Sequence, residues 1–331
     1  MICLGIESTA HTIGVGICES CKGAKIRILS NARRLYKTPK GVGIVPRMAA
    51  DHHAQLFGQV LSESLESGGI SLPQVDLFAF SRGPGIGQCL RISCAAAKYL
   101  SAFYKKPLLG INHSHAHLEI SKGLLGMSDP VFVYVSGANT QIIVENQQRK
   151  SKEQRFFVLG ETLDMGLGNL FDVFAREAGF EYPHGSEVAK LAEKGSYFPL
   201  PYTIKGMNFA FAGLLTHSLR ELKSKPIEDI CRSLMETSFA QICEAAERAV
   251  CLTRKNEVVA CGGVAQNKLF CQMLSKMCEG QGAKFGVVAE EYNADNGAMI
   301  AYTALREWHR GKRERMENLS PKGDWRIDQV F

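Results

Sequence analysis

The alternation of apolar and polar positions divides the chain into two halves that begin in the same way. In the first half, Cys3–Glu7 is a short apolar run, Thr12–Cys18 alternates polar and apolar residues, and Ile26–Tyr36 is a third run. Runs of this length are typical of β-strands. In the second half, Val131–Val135 and Gln141–Glu145 repeat the first pair. The pattern therefore predicts two lobes, each founded on a β-hairpin.

The remaining apolar residues recur either in short runs or at helical spacing, and they complete the predicted elements. Helices are predicted at Arg47–Glu66, Cys89–Phe103, Asn112–Ile120, Asp164–Ala178, Ile227–Arg254, Lys268–Glu279 and Asp295–Trp308. Further strands are predicted at Val75–Phe80, Pro107–Ile111, Phe156–Leu159, Val258–Cys261 and Phe285–Val288. The glycine- and proline-bearing stretch Lys37–Val45 is predicted to be a flexible connection, and Gly179–Phe211 to be irregular.

This duplicated α/β order predicts the two-lobed fold of the actin, hexokinase and Hsp70 superfamily, with lobes at residues 1–125 and 126–331. The last helix could also pack back on the first lobe. In that superfamily the two hairpin tips face each other and hold phosphates. Here the tips are Glu7-Ser8-Thr9 and Ser136–Thr140, whose small residues let phosphate oxygens approach backbone N–H groups. A third segment, Cys261–Asn267, joins a strand to a helix through two glycines and ends in a side chain that can hydrogen-bond a nucleoside.

Composition is that of a globular protein. The chain has 331 residues, 45% of them apolar, which is enough to bury a core in two lobes. A net charge of +6 is too small to indicate a nucleic-acid-binding protein by itself. It is compatible with a phosphate-bearing partner that binds at basic clusters such as Arg33-Arg34 and His309–Arg315. No secretory leader or bilayer-length apolar run is visible, and the eleven cysteines are typical of a reducing compartment. We therefore expect a cytoplasmic protein without a membrane partner.

Three of the nine histidines fall within Asn112–Ile120, which gives this segment the chain's clearest candidate chemistry. If it is helical, His113 and His117 project from one face at the separation that one metal ion requires, and His115 points elsewhere. The same residues also suit an ordinary helix start capped by Asn112. The spacing leaves both interpretations open, and a third ligand from elsewhere in the chain has to decide between them.

Seven motifs together resemble the universal tRNA threonylcarbamoyladenosine transferase family, formerly called the O-sialoglycoprotein endopeptidase family. The resemblance runs essentially end to end, and its histidine motif is closer to the archaeal and eukaryotic catalytic subunit of the KEOPS complex than to the bacterial form. The motifs are Gly5–Thr12, Ala50–Gln55, Ser81–Gly87, Asn112–Ile120, Tyr134–Gln141, Gly262–Asn267 and Tyr292–Ala298.

The resemblance implies a metal site and a nucleotide site. The metal, iron(II) or zinc, would be held by the catalytic residues His113, His117 and Asp295, with Tyr134 as a further ligand or near neighbour. Nitrogen and oxygen donors without thiolate suit those metals. We expect Asp295 to open a helix in the C-terminal lobe and to reach the histidines across the cleft. The adenine nucleotide, which is threonylcarbamoyl-AMP with ATP or AMP able to take its place, would contact Ser8, Thr9, Ser136, Gly137, Ala138, Asp172, Gly185 and Asn267.

The activity implied by the resemblance is transfer of a threonylcarbamoyl group to the adenosine beside the anticodon of tRNAs that read ANN codons, with release of AMP. The implied partners are the tRNA, a small KEOPS-type kinase or ATPase, and small accessory or dimerising subunits. Three alternatives remain: an ATPase or small-molecule kinase of the same fold, a catalytically silent tRNA scaffold, and a metallopeptidase. The peptidase would need His-Glu-x-x-His, but the second position here is Ser114.

Overall fold

The computed structural model describes residues 1–21, 25–38, 43–148 and 153–331. Part of the predicted connection Lys37–Val45 lies outside these ranges. The strands are β1 (Ile2–Glu7), β2 (Thr12–Ser20), β3 (Ile26–Leu35), β4 (Leu77–Gly83), β5 (Leu108–Asn112), β6 (Val131–Val135), β7 (Thr140–Glu145), β8 (Phe156–Glu161), β9 (Ile204–Lys205), β10 (Asn208–Phe209), β11 (Glu257–Cys261) and β12 (Lys284–Val287). The helices are α1 (Pro46–Gly68), α2 (Gly87–Tyr104), α3 (His113–Leu124), α4 (Leu167–Glu177), α5 (Gly185–Ala192), α6 (Phe211–Glu221), α7 (Ile227–Thr253), α8 (Lys268–Gly280), α9 (Glu290–Asn293) and α10 (Gly297–His309). The α/β class is confirmed.

The chain forms two compact units, and the first contains residues 1–120 and 291–330. Its five-stranded sheet has the order β3-β2-β1-β4-β5, in which β1, β4 and β5 are parallel and β2 and β3 are antiparallel to their neighbours. The three successive strands predicted at the start of the chain are therefore confirmed, and they form an antiparallel meander. Because the carboxyl ends of parallel neighbours meet at one edge of a sheet, the residues that follow β1, β4 and β5 lie together there.

Helix α10 lies directly against β1 and β2 because the facing residues are glycines. A Cβ on Gly5 would stand 2.3 Å from the backbone nitrogen of Ala301, and one on Gly16 would stand 2.1 Å from that of Ala298. The helix is almost entirely buried, and its apolar residues form one core cluster with residues of the sheet, among them Leu77 and Ile111. A backbone-to-backbone contact of this kind fixes the helix within a fraction of an ångström.

This packing assigns residues 291–330 to the first unit rather than to the C-terminal lobe of residues 126–331, so the last helix does pack back on the first lobe. Asp295 precedes α10 and so belongs to the unit that contains His113 and His117. The expectation that Asp295 reaches the histidines from the other lobe is wrong, because α10 is buried on the sheet of the first unit. Asp295 also does not open the helix: Asn296 is the N-cap, and its side chain accepts a hydrogen bond from the backbone N–H of Met299 at 2.9 Å.

The second unit contains residues 121–290 and Phe331, and its sheet has the order β12-β11-β6-β7-β8. The β6–β7 hairpin is antiparallel, while β11 runs parallel to β6 and β12. Its core contains a row of phenylalanines that includes Phe171, Phe174, Phe239 and Phe270. The hairpin tip and the segment after β11 therefore lie at the same sheet edge, as their counterparts do in the first unit.

Two helices of the second unit are absent from the predicted elements. Gly179–Phe211 was expected to be irregular, but it contains the eight-residue helix α5, and α6 begins at its last residue. Both are short and lie among several glycines and prolines, so their helical periodicity is weak in the sequence. Among the described residues, none of the helices is both long and apolar enough to cross a membrane.

We predict that Gly16→Ala destabilises the protein by about 3 kcal/mol or more, because the added methyl group would meet the backbone of α10, which cannot yield as a flexible side chain could. Gly58→Ala on the exposed face of α1 is the matched control, since nothing lies within 4 Å of a Cβ built there. The control should be neutral or about 0.5–1 kcal/mol more stable. Denaturant unfolding measures both, and equal stabilities would contradict the proposed backbone contact.

Candidate functional site

The carboxyl ends of β1 and β5 deliver the polar residues of the candidate site in the first unit. Glu7 is the last residue of β1, and His113 directly follows Asn112, the last residue of β5. Asn112 caps α3, since its Oδ1 accepts a hydrogen bond from the backbone N–H of His115 at 3.0 Å. The predicted cap is therefore confirmed. It also holds the first turn of the helix in which His113 and His117 share one face.

The side chains of His113, His117 and Asp295 converge on one point. Their candidate ligand atoms all lie within 4.8 Å of one another, and this is the only His, Cys, Asp and Glu group of that kind among the described residues. Asp295 Oδ1 lies 3.2 Å from His117 Nε2 and 3.5 Å from His113 Nε2. All three side chains are largely buried, with 9%, 1% and 17% of their surfaces exposed. The third ligand that the spacing required is therefore in reach.

Glu7 orients His113 from the side away from Asp295. Its Oε2 lies 3.0 Å from His113 Nδ1, and its Oε1 accepts a hydrogen bond from the backbone N–H of Thr9 at 2.6 Å. The hydroxyl of Thr9 lies 3.3 Å from the same Nδ1. A histidine whose Nδ1–H is taken by a carboxylate presents Nε2 to a metal in a fixed orientation. Glu7 was predicted as part of the phosphate-holding tip, and its role as the partner of His113 was not predicted, although a glutamate at the end of an apolar strand was a usable signal.

The carboxylates and imidazoles shift one another's proton affinities. Burial alone would lower the pKa of His113, but the charges of Glu7 and Asp295 and the hydrogen bond to Glu7 raise it to about 9. Burial lowers the pKa of His117, and its hydrogen bond to Asp295 offsets this only in part. Burial would raise the pKa of Asp295, yet the charge of His113 and the hydrogen bond from His117 hold it well below its usual value. Without metal, His113 therefore carries the positive charge of the site.

This donor set fits a divalent metal. The carboxylates of Asp295 and Glu7 carry two negative charges, and a dication held by two neutral imidazoles would balance both of them. The proton on His113 balances only one. Nitrogen and oxygen donors at this separation suit zinc or iron(II), and three protein ligands leave a position open for a substrate oxygen. The residues present therefore fit the metal that the resemblance implied, with Glu7 outside the coordination shell as the partner of His113.

A second buried carboxylate, Glu119, joins α3 to α10. It is 3% exposed, and its oxygens lie 3.1 Å from Arg306 Nε, 3.1 Å from Arg310 Nη1 and 3.3 Å from His115 Nε2. His115 is therefore not one of the three candidate ligands but part of this clasp. Because α3 carries His113 and α10 follows Asp295, the clasp stabilises the spacing between the two groups of ligands.

The Ser8-Thr9 tip is occupied by contacts within its own unit. The hydroxyl of Ser8 donates to the carbonyl of Cys89 at 2.8 Å and accepts from the backbone N–H of Ser93 at 3.2 Å. The backbone N–H of Ser8 donates to Ser81 Oγ at 3.0 Å. The assignment of Ser8 and Thr9 to nucleotide contacts stays a prediction, and these bonds favour a role in holding β1, β4 and α2 together.

In the second unit, the hairpin tip and α4 form one compact structure. The backbone N–H of Gly168 donates to the carbonyl of Ser136 at 3.1 Å, and that of Asn169 donates to Gly137 at 3.0 Å. Gly137 and Ala138 are exposed, and a Cβ on Gly137 would meet no atom within 4 Å. The tip therefore presents free surface, as a ligand-binding loop would, and the methyl group of Ala138 lies on that surface.

The other predicted nucleotide contacts of the second unit fall into a pair and a cap. Asp172 Oδ1 accepts a hydrogen bond from the backbone N–H of Gly185 at 2.8 Å, so the structure brings these two together. Asn267 caps α8 through a 3.2 Å hydrogen bond from the backbone N–H of Phe270. Its carboxamide therefore has a structural role before any ligand is considered. Tyr134, the suggested further metal ligand, is 1% exposed in β6, and its ring lies 3.2 Å from the position of a Cβ on Gly262.

We predict that the protein binds one divalent metal ion and that His117→Ala abolishes this binding, because two remaining ligands cannot hold the ion at micromolar concentration. Metal content after dialysis, measured by elemental analysis, tests this. His217→Ala is the control, since that side chain is half-exposed on α6 and, within the described part of the chain, pairs with Glu221 alone. One ion retained by folded His117→Ala protein would contradict the site.

We also predict that the metal-free protein loses stability as pH rises through about 9. The folded-state pKa of His113 lies above its ordinary value of 6.5, so its contribution is fully present below 6.5 and is lost above 9. Glu7→Gln removes the negative charge beside His113 Nδ1, which raises the pKa of that histidine, and should therefore flatten the pH dependence of stability. Thermal unfolding of both proteins between pH 6 and 10, in the presence of a chelator, measures the effect. Parallel curves for the two proteins would refute the Glu7–His113 interaction.

Comparison with known sequences places these features in one family. The family model described as TsaD, tRNA N6-adenosine threonylcarbamoyltransferase, matches residues 27–302. A protein of that name from Thermofilum pendens is 46% identical over 330 residues, covering 99% of this chain and 95% of that protein. Its counterpart from Thermococcus kodakarensis is 46% identical over 333 residues, covering 100% and 98%. A probable bifunctional tRNA threonylcarbamoyladenosine biosynthesis protein from Thermoplasma volcanium is 43% identical, and the chain covers 61% of it.

Solved structures confirm the two-lobed actin-like fold class. HypF from T. kodakarensis superposes with a TM-score of 0.65 at 13% identity, over 94% of this chain, which spans about half (48%) of the HypF chain. Component A of the (R)-2-hydroxyglutaryl-CoA dehydratase from Acidaminococcus fermentans superposes with a TM-score of 0.54 at 16% identity, over 93% of this chain and 98% of that one. At these identities the likeness concerns the fold alone, and the family rests on the sequences. Their identity over nearly the whole length shows that the chain belongs to the TsaD family of tRNA N6-adenosine threonylcarbamoyltransferases.

Proposed function

We propose that this chain transfers the threonylcarbamoyl group of threonylcarbamoyl-AMP to the N6 amine of the adenosine beside the anticodon of tRNAs that read ANN codons. The observation that carries the proposal is the buried convergence of His113, His117 and Asp295 in a chain that matches this family over almost its whole length. The fold alone would not support it, because actin-like folds serve many reactions.

The reaction requires positioning more than a strong nucleophile. The N6 lone pair attacks the carbamoyl carbon, the bond between that carbon and the phosphate oxygen breaks, and AMP leaves with the bonding electrons while N6 loses one proton. An amine conjugated to a purine ring is a weak nucleophile, so held geometry and charge stabilisation supply most of the acceleration. AMP is already a good leaving group, and the charge that needs stabilising develops on the carbonyl and phosphate oxygens.

The proposed roles of the residues follow from their surroundings. His113, His117 and Asp295 would hold the metal, which when bound would supply Lewis-acid stabilisation of negative oxygen. Glu7 keeps the proton of His113 on Nδ1, so that Nε2 remains a ligand. For the nucleotide, we propose Ser136, Gly137 and Ala138 at the exposed tip, with the Asp172–Gly185 pair, Asn267 and Tyr134 as further contacts.

The alternatives lack a supporting observation. Ser114 is 2% exposed on α3 at the position where a zinc peptidase of the His-Glu-x-x-His type carries its general base, so no carboxylate can activate water there. A sugar kinase shares the fold but has no need for a buried pair of histidines next to Asp295. Incubation with ATP and candidate sugars, without formation of a phosphorylated product, separates it from the proposed transfer.

We further propose that the chain acts with a small kinase or ATPase and with small accessory subunits. The bifunctional relative from Thermoplasma volcanium, of which this chain covers 61%, supports a link to a second activity in the same biosynthesis. Activity of the isolated chain should therefore be low and should rise when such subunits are added.

The proposal is tested by incubating the chain with threonylcarbamoyl-AMP and an ANN-reading tRNA, and by measuring threonine incorporated into the tRNA together with AMP released. A tRNA with guanosine at the target position should accept nothing. His113→Ala and Asp295→Ala should each lower the rate by about a hundredfold or more, because a charge-stabilising group is lost. His217→Ala is again the control. Undiminished transfer by the folded variants would reject the metal's role, and no transfer with any partner would reject the function.

A further inference from the structure

The positive charge of the protein is confined to one of its two units. The second unit has as many Lys and Arg as Asp and Glu, so the net charge of +6 belongs to residues 1–120 and 291–330. That unit also holds the candidate metal ligands. An excess of positive charge on this unit favours the binding of an anionic partner to it.

Three exposed cations of this unit lie within ten positions of one another along the chain, and we call them the cationic strip: Arg313, Arg315 and Lys322. None of them has a carboxylate partner among the residues that the structure describes. The nearby Arg306 and Arg310, in contrast, are paired with carboxylates: Arg306 with Glu119, and Arg310 with Glu119 and Glu307. An unpaired exposed cation costs little in water and remains available to an incoming anion.

Two of the three cations of the strip, Arg313 and Lys322, lie over aromatic rings. The guanidinium carbon of Arg313 stacks 3.4 Å above the ring centre of Trp308. Lys322 Nζ lies 5.6 Å from the ring of Trp325, which Arg82 and Lys312 also approach at 5.6 and 6.0 Å. Ring faces stabilise several like charges at close range and orient them before a ligand arrives.

The same segment is attached directly to the candidate reaction centre. The carbonyl of Trp325 accepts a hydrogen bond from Asn112 Nδ2 at 2.9 Å, and Asn112 also caps the helix that starts with His113. The edge strand β5 is tied to the segment a second time, because the backbone N–H of Gly110 donates to Glu314 Oε2 at 2.9 Å. An anion held on the strip would therefore lie beside the end of β5, from which His113 emerges.

We propose that the cationic strip binds the sugar–phosphate backbone of tRNA next to the adenosine that is modified. The inference rests on the proposed function and adds the docking surface. When a nucleoside reaches the centre at the end of β5, the backbone on one side of it must pass over neighbouring surface of this unit. A chain with one phosphate per nucleotide matches several spaced cations, whereas a mononucleotide would use only one of them.

The test compares tRNA binding by the full-length chain and by the triple variant Arg313→Gln, Arg315→Gln, Lys322→Gln at several salt concentrations. Binding should weaken by about tenfold or more at low salt, and the slope of log K against log salt should fall by about 3, near 1 for each lost phosphate contact. The control is Lys205→Gln, Lys223→Gln, Lys276→Gln, which removes three exposed charges from the neutral unit and should leave binding unchanged.

Further variants separate charge from packing. Arg313→Lys with Arg315→Lys keeps the charge and should retain most of the affinity, whereas loss equal to that of the triple variant would overturn the backbone-binding role. Equal binding by the triple variant and the wild type, or equal weakening by the control, would also overturn it. Weaker binding of AMP by the triple variant, with tRNA binding unaffected, would show a mononucleotide site instead. Binding can be measured without turnover, so the two proposals can fail separately. If the wild type transfers nothing with any partner but the triple variant still binds tRNA more weakly, the strip is upheld and the proposed function is rejected. If the wild type is active but the triple variant binds tRNA equally well, the function is upheld and the strip is rejected.

Discussion

The contact between α10 and the sheet of the first unit is the constraint on which the candidate metal centre depends. Gly5 and Gly16 leave no side chain between the strands and the helix, so the two backbones touch. Asp295 lies two residues before the helix and moves with it. A separation larger by the size of one methyl group would take the carboxylate out of ligand distance from His117. The glycines of β1 and β2 therefore act on the chemistry through geometry, although they touch no ligand.

Electrostatics explains why so many charged groups can be buried together. Glu7 and Asp295 flank His113, and each anion would be costly to bury alone. The imidazolium, whose pKa is raised to about 9, offsets part of that cost in the metal-free protein, and a dication would offset all of it. The Glu119 clasp uses the same principle with two arginines. The first unit thus stabilises two buried carboxylate clusters along α3, one available to a metal and one closed by arginine.

The features that were predicted correctly from the sequence are those that depend on a local pattern of residues. The strands of both hairpins, the Asn112 cap and the shared face of His113 and His117 are all set by residues within a few positions of each other, so periodicity and capping rules reach them. Packing of the last helix on the first lobe was only left open, and Asp295 was assigned wrongly to the C-terminal lobe, because the outcome depends on packing between residues almost three hundred positions apart. No local rule shows that a glycine strand at the start of the chain receives a helix near its end.

The residues missed at the site have a related explanation. Glu7 and Glu119 act on histidines, and a buried carboxylate is visible in sequence only as a polar residue in an apolar element, a pattern that also occurs for other reasons. Ser8 is the opposite case, because a small residue at a hairpin tip suggested phosphate binding. Its hydroxyl, however, already donates one hydrogen bond to α2 and accepts another from it. Pattern identifies which residues are unusual, but whether their hydrogen-bonding capacity is free for a ligand is decided by contacts formed only in the folded chain.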